Sequence, residues 1–193
     1  MRLIKGVCRA LLIAGVVLLP LAGVGALWDG FAVDGDEVLL TVTSSDVLVN
    51  DELELGYVGL EFRRVFRMSE AEPESPWRFY VSAYVNQIHT GPGNYIIGGS
   101  GGVRWLCRFE ESGIDTYVQA SLGIVGNDAY KDMTQNGIGN FLEFRDVIGI
   151  GIGVPVKGQR LHAEMALEHI SNAGLARRNG GVNLMSFGLG IEF

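Results

Sequence analysis

The sequence MSFGLGIEF at residues 185–193 decides the fold, because apolar residues alternate along it with small or polar ones without a break. Side chains two apart on a β-strand share a face, so this alternation predicts a strand with one apolar and one polar side. The apolar side carries Met185, Phe187, Leu189, Ile191 and Phe193, and the other side carries Ser186, Gly188, Gly190 and Glu192.

The same alternation recurs upstream in seven further segments that are separated by turn residues. We predict strands at residues 36–44, 53–66, 77–89, 95–109, 114–126, 140–155, 160–171 and 182–193. Several of these exceed ten residues, which is long for a soluble strand and suits a tilted strand that crosses a bilayer.

Two architectures use this pattern, and alternation alone does not separate them. A soluble ligand-binding barrel turns its apolar face inward, whereas a transmembrane barrel turns it to lipid and keeps a polar lumen. Strand length favours the second, as does the ending, because an alternating strand that stops at Phe193 resembles the recognition signal of bacterial outer-membrane barrels. We therefore predict an all-β, eight-stranded antiparallel transmembrane β-barrel in the outer membrane of a Gram-negative bacterium, with side chains filling its interior.

Residues 1–26 have the features of a cleavable secretory signal peptide. A basic start precedes an apolar run that ends in small residues, and the run is short for a spanning helix, although a retained anchor is the alternative. Cleavage would leave the barrel domain at residues 27–193 and move the formal net charge from -7 to -10. A chain this acidic is a poor candidate for nucleic-acid binding.

Cysteine and histidine usage gives no sign of a metal site. The mature chain keeps one cysteine, Cys107, in an apolar strand pattern that indicates packing rather than catalysis. His89, His162 and His169 are far apart in sequence, and no Cys-x-x-Cys motif occurs. We therefore expect neither a metal nor another cofactor.

The densest polar cluster lies at residues 168–183, where the seventh predicted strand ends. His169 and Ser171 continue the apolar face of this strand, with α-carbons about 7 Å apart, so they can form the nucleophile–base pair of acyl-transfer enzymes. With periplasmic termini the strand runs outward, so the pair would face lipid near the outer leaflet, where an acylated lipid is the accessible substrate. The alternative for an isolated His-x-Ser pair is a polar strand end that enters a loop.

The string HISNAGL at residues 169–175, followed by Asn179 and Gly181, resembles the active-site hairpin of the lipid A 3-O-deacylase (PagL) family. The preceding strand, LEFRDVIGIG at residues 142–151, resembles the family as well. Its members are small outer-membrane barrels with a Ser-His-acid site on the lipid-facing surface. The resemblance implies a serine esterase that hydrolyses the ester-linked 3-O acyl chain of lipid A in lipopolysaccharide, and it permits a homodimer.

Carried across to this chain, the resemblance implies a role for each member of the hairpin at residues 168–183. Ser171 would be the nucleophile, His169 its general base and Asn183 the third catalytic member. The oxyanion-binding and substrate-binding positions would be Asn172, Gly174, Asn179 and Phe144.

One departure concerns the third member, because a known family member has Glu where this chain has Asn183, although Asn occurs there in relatives as well. A glutamate orients the histidine and stabilises its charged form, whereas an amide stabilises that charge less. Asn fills this place in Cys-His-Asn sites, and Asp146, on the lipid-facing parity, is the alternative acid.

Other interpretations stay open at this point. The chain could be a non-catalytic small outer-membrane barrel with a structural or adhesion role, or, less in keeping with its strand lengths, a soluble periplasmic binding barrel. Arg177 and Arg178 could bind lipid phosphates, although two arginines in an exposed loop are more often solvated.

Overall fold

All eight alternating segments form β-strands in a computed structural model, in which residues 31–45, 53–67 and 74–193 are described. The strands are β1 (Ala32–Ser44), β2 (Gly56–Arg67), β3 (Trp77–Thr90), β4 (Tyr95–Phe109), β5 (Ile114–Asn127), β6 (Leu142–Val156), β7 (Gln159–Ser171) and β8 (Val182–Glu192). The signal peptide expected at residues 1–26 lies outside the described residues and stays a prediction.

The first two strands differ from the prediction at their starts. β1 begins earlier than expected, and its register shifts between Val33 and Gly35, which marks a β-bulge that simple alternation does not reveal. β2 begins later, because Leu55 donates its N–H to Ser45 Oγ at 2.8 Å and accepts the Ser45 N–H at 2.9 Å. Leu53 and Leu55 consequently turn into the protein core instead of extending the strand.

The strands close into a barrel. Each pairs antiparallel with its neighbour in sequence, and β1 also pairs with β8, as in the opposition of Val42 to Phe187. Closure satisfies the backbone hydrogen bonds of every strand, which is the condition for a sheet to sit in hydrocarbon. None of the described residues forms a helix long and apolar enough to cross a membrane.

The apolar faces point outward. On β8, Phe187 and Leu189 are 52% and 68% exposed, whereas Ser186, on the inner face of the strand, is only 7% exposed. Leu122 on β5 is 71% exposed, and Cys107 is also exposed on this outer wall instead of packing inside the protein. An apolar wall of this kind is stable only in a bilayer, so the soluble-barrel interpretation is wrong.

The lumen is filled by buried ion pairs. Arg104 donates two hydrogen bonds to the Glu37 carboxylate, at 2.5 and 3.0 Å, and Arg63 donates to Glu164 at 2.6 Å. Nearer the other end, Arg145 donates to Glu168 at 2.8 Å. Buried charges of this kind are tolerated because each has an opposite partner, and they leave no wide pore, as expected for an eight-stranded barrel.

The two ends of the barrel differ. Short turns at residues 110–113 and 157–158 mark one end, whereas the connections at 128–141 and 172–181 at the other end are longer. Long loops lie on the cell surface and short turns in the periplasm, so β7 runs outward as predicted. Beneath the long loops, an apolar core closes the lumen; it contains Leu53, Leu55, Tyr57, Tyr84, Ile88, Ile96, Val125, Ala129, Ile138, Ile170, Val182 and Leu184.

Candidate active site

Three polar side chains form a row across the outer wall near its cell-surface end. Asp146 on β6 is directly opposite His169 on β7, and His169 is directly opposite Asn183 on β8. Asp146 and Asn183 are exposed and His169 is partly exposed, so all three face outward as strand parity predicts. We call Asp146, His169 and Asn183 the His169 row.

The His169 imidazole is held by Asn183. The distance between His169 Nδ1 and Asn183 Oδ1 is 2.9 Å. Because a carboxamide oxygen only accepts hydrogen bonds, Nδ1 carries the hydrogen, and the lone pair available for a base is on Nε2. This is the orientation that a general base needs.

Gly181 forms the wall against which the imidazole rests. Its φ of +72° lies in the left-handed region, and a Cβ placed there would be 2.7 Å from His169 Cε1. A side chain at this position would therefore displace the ring as well as strain the backbone. The resemblance included Gly181, but only the structure reveals this contact.

Ser171 ends β7 on the same face as His169. It is partly exposed, it lies directly opposite Phe144 of β6, and its hydroxyl makes no hydrogen bond to any described residue. The expected hydrogen bond between Ser171 and His169 is therefore absent from this structure. Such contacts are often long before substrate binds, and a single χ1 rotation moves the serine hydroxyl.

The two asparagines expected at the oxyanion site hold the turn that follows Ser171. Asn172 is buried; its Nδ2 donates to the Arg178 carbonyl at 2.7 Å, and its Oδ1 accepts from the Gly174 N–H at 3.0 Å. The Asn172 N–H donates to Asn179 Oδ1 at 2.9 Å. The Asn172 carboxamide and the Asn179 carboxamide oxygen are thus engaged within loop 172–181.

The same turn brings one backbone donor close to the nucleophile. Ala173 has a φ of +52°, which is uncommon for a residue with a side chain, and Gly174 follows with a φ of +82°. The Ala173 N–H has no hydrogen-bond partner among the described residues. The Gly174 N–H donates to Asn172 Oδ1, so the Ala173 N–H is the donor that this turn leaves available.

Arg178 ties loop 172–181 to loop 128–141. Its guanidinium donates to the carbonyls of Tyr130 at 2.7 Å, Asp132 at 2.6 Å and Gln135 at 3.1 Å. Both interpretations of Arg178 in the sequence, a phosphate ligand or a solvated charge, are therefore wrong. Nothing in the sequence around Arg178 indicated this role.

The backbones of the two loops also pair. Gly180 N–H donates to the Asn136 carbonyl at 2.9 Å, and Gly181 N–H donates to the Gly137 carbonyl at 3.0 Å. Loop 128–141 therefore supports the glycine that touches His169, so this loop is part of the site even though the sequence gave no reason to include it.

An open groove of about 950 Å³ runs along the outer wall beside the His169 row. Gly101, Leu122 and Ile148 are among its apolar lining residues, and Asp146, His169 and Asn183 border it. Phe144, the position expected to line the site, is 44% exposed next to Ser171. A polar row beside an apolar groove can receive an ester whose acyl chain lies in the hydrocarbon.

One group of described residues has the composition of a metal site, namely Glu37, His162 and Glu192 at the periplasmic end of the lumen. The Glu37 carboxylate already receives two hydrogen bonds from Arg104, and Arg160 lies 3.9 Å from Glu192. These arginines place positive charge beside both carboxylates, which disfavours a bound cation, and the group is at the opposite end of β7 from Ser171.

Comparison with known proteins identifies the family and the fold. The model of a protein family described as "Lipid A 3-O-deacylase (PagL)" matches residues 56–192. The crystal structure of the outer membrane enzyme PagL is similar with a TM-score of 0.59 and 19% sequence identity, covering 81% of this chain and 98% of that one. Neisserial surface protein A is similar with a TM-score of 0.55 and 13% identity, covering 85% and 96%.

No curated protein matches the chain significantly. The two structural similarities support the barrel fold, and the family match runs from β2 to β8, so it includes the whole His169 row and loop 172–181. This chain therefore belongs to the lipid A 3-O-deacylase (PagL) family and is an ester hydrolase of the Gram-negative outer membrane that deacylates lipid A.

Proposed function

We propose that this chain removes the 3-O acyl chain of lipid A as a serine esterase, with Ser171 as the nucleophile, His169 as the general base and Asn183 as the residue that orients the base. The observation that carries the proposal is the 2.9 Å hydrogen bond between His169 Nδ1 and Asn183 Oδ1 on the outer wall. It leaves Nε2 available on the face that His169 shares with Ser171.

The proposed reaction has two halves. In the first, Ser171 Oγ forms a bond to the ester carbonyl carbon while His169 Nε2 takes the hydroxyl proton. The tetrahedral intermediate then collapses, the bond between the acyl carbon and the sugar oxygen breaks, and His169 gives its proton to that oxygen. In the second half, water attacks the acyl-serine with His169 again as base, which releases the fatty acid and restores Ser171.

The oxyanion needs donors near Ser171, and the turn at residues 172–174 is suited to supply them. Asn172, Asn179 and Gly174, which the family resemblance associates with the oxyanion, are hydrogen-bonded to one another in this turn. In the proposal the two asparagines act by fixing the turn, and the Ala173 N–H is the donor. Removal of one such donor typically costs about 3 kcal/mol of transition-state stabilisation.

The position of the site supports a membrane lipid as the substrate. Ser171 lies at the cell-surface end of the outer wall, where the headgroups of the outer leaflet are. The groove beside His169 is apolar, so an acyl chain can remain in hydrocarbon while its ester reaches Ser171. The family match favours this enzymatic role over a structural or adhesion role. Homodimerisation and the absence of nucleic-acid binding stay predictions.

The proposal can be tested with purified protein and lipid A in detergent micelles. We expect wild-type protein to release free hydroxy fatty acid, and Ser171→Ala and His169→Ala to reduce the rate by at least about a thousandfold. Ser112→Ala, in a periplasmic turn, is the matched control and should be fully active. Heat-modifiable migration in gels verifies that each barrel is folded. A fully active, folded Ser171→Ala variant would overturn the proposal.

A further inference from the structure

We propose that Asp146 is a positioning residue for the same reaction, in which it supplies the negative charge that stabilises the His169 imidazolium. This inference rests on the proposed function, because it concerns the base of that mechanism. In this inference Asn183 orients the ring and Asp146 provides the charge.

Asp146 lies beside His169 in the sheet. Asp146 is directly opposite His169 in the β6–β7 ladder, just as Asn183 is directly opposite it in the β7–β8 ladder. Directly opposed residues on one face have β-carbons about 5 Å apart. The two side chains are therefore neighbours on the outer wall, and both border the groove described above.

Asn183 provides no negative charge beside His169. A carboxamide accepts the Nδ1–H hydrogen bond, but it has no charge to balance the imidazolium that forms when His169 takes the proton of Ser171. A carboxylate on the neighbouring strand can balance it. The attraction between the two charges is stronger here than in bulk water because protein lies behind both groups.

Asp146 has no structural task in the described part of the chain. It makes no hydrogen bond and no ion pair there, although an acid on a lipid-facing wall is unfavourable. Its neighbours on the same face of β6 are Phe144 and Ile148, both exposed and apolar. A destabilising residue without structural contacts, placed beside a base, is the kind of residue that function explains.

No other charged group competes for this role on the strands around His169. On β6 and β7, the ionisable residues nearest to the row, Glu143, Arg145 and Glu168, are buried and face the lumen. On β8 the adjoining outward position is Asn183 itself, and on β7 the outward neighbours of His169 are Leu167 and Ser171. Among the described residues of these strands, Asp146 is thus the acid that faces His169.

The test is the pH dependence of kcat/KM for lipid A hydrolysis in detergent micelles by Asp146→Asn, which removes the charge and keeps the shape. Because the carboxylate acts on the proton transfer itself, its loss should move the acid limb of the rate profile to lower pH. Stabilisation of the transition state is lost at the same time, so the plateau should fall by about tenfold.

Two further variants make the result specific. Asp146→Glu keeps the charge, so its acid limb should coincide with that of the wild type. Glu54→Gln removes one exposed acid from the same end of the barrel without facing His169. Its profile should also be unchanged.

Each outcome decides the question. A shifted limb together with a lowered plateau in Asp146→Asn alone supports the charge role. An unchanged profile overturns it, and so does an equal loss of activity at every pH, because a steric role lowers the rate without moving the limb. Either result leaves the proposed function intact, which fails only if Ser171→Ala is active.

Discussion

His169 Nδ1 lies 2.9 Å from Asn183 Oδ1 across the β7–β8 ladder, on the wall of the barrel that faces lipid. A neutral amide therefore makes the hydrogen bond that orients the imidazole. Orientation and charge compensation are separate requirements of a general base, and this site meets them with different residues. The consequences can be measured one residue at a time.

A carboxylate in place of Asn183 should raise activity. Asn183→Glu combines the orienting hydrogen bond with a charge that stabilises the imidazolium, so we expect kcat/KM for lipid A to rise about tenfold at neutral pH. The control is Asn183→Gln, which has the length of glutamate without the charge and should be less active than the wild type. A fall in activity with Asn183→Glu would put the third catalytic member elsewhere.

Substitution of the glycine beside the imidazole should damage the site more than the fold. In Gly181→Ala the new Cβ would meet His169 Cε1 at 2.7 Å, so the ring must move and the hydrolysis rate should fall at least about tenfold. Gly158→Ala is the matched control, because its φ of +87° imposes similar backbone strain while no atom lies within 4 Å of the added Cβ. Equal activity in the two variants would show that the space Gly181 leaves for the His169 ring is not needed for the reaction.

Loss of the loop clamp should loosen both outer loops. Arg178→Met removes three hydrogen bonds to the carbonyls of loop 128–141, each worth on the order of 1 kcal/mol when partly exposed. We expect faster amide hydrogen exchange in loops 128–141 and 172–181, and a lower rate of lipid A hydrolysis. Arg177→Met, at an exposed neighbouring position, should change neither. Unchanged amide hydrogen exchange in Arg178→Met would show that the Arg178 hydrogen bonds do not hold the two loops together.

The hydrogen bonds that join loop 91–94 to Asp128 of loop 128–141 should depend on pH. Burial raises the pKa of Asp128, but hydrogen bonds from the Asn94 side chain and from the N–H groups of Asn94 and Tyr95 outweigh burial and lower that pKa below its usual value. The charged form therefore stabilises the folded loops above about pH 4, and this contribution is lost as the pH falls through the lowered pKa.

This stabilisation can be followed by proteolysis of the intact barrel. Loops 91–94 and 128–141 should become more susceptible to an acid-active protease below about pH 4, more so than the periplasmic turn at residues 110–113. Asp128→Asn should abolish most of this pH dependence, because the variant has no charge to lose. The same pH dependence in the variant would assign the effect to another group.

The strands could be predicted from the sequence because the bilayer imposes a simple rule. Each residue of a spanning strand faces either lipid or lumen, so alternation alone located the strands to within a few residues, and parity gave the outward direction of His169, Ser171 and Asn183. The start of β1 was missed because a bulge breaks alternation at Val33 and Gly35.

The site could be predicted only in part, because parity does not give register. That Asp146 is opposite His169, and not two residues along, follows from the pairing of β6 with β7, which turn geometry fixes. The roles of Arg178 and Asn172 depend on loop conformation, where no periodic pattern exists to be recognised. The resemblance to the family identified loop 172–181 as functional, but it did not give the contacts within this loop.

The central claim is that Ser171 and His169 deacylate lipid A from the outer wall of the barrel. The most direct measurement is mass spectrometry of lipid A from Gram-negative cells that express either the wild-type chain or Ser171→Ala at equal outer-membrane levels. We predict that wild-type cells lose the mass of one hydroxyacyl chain from lipid A and that Ser171→Ala cells do not. Identical lipid A spectra from the two strains, with both barrels folded, would contradict the account.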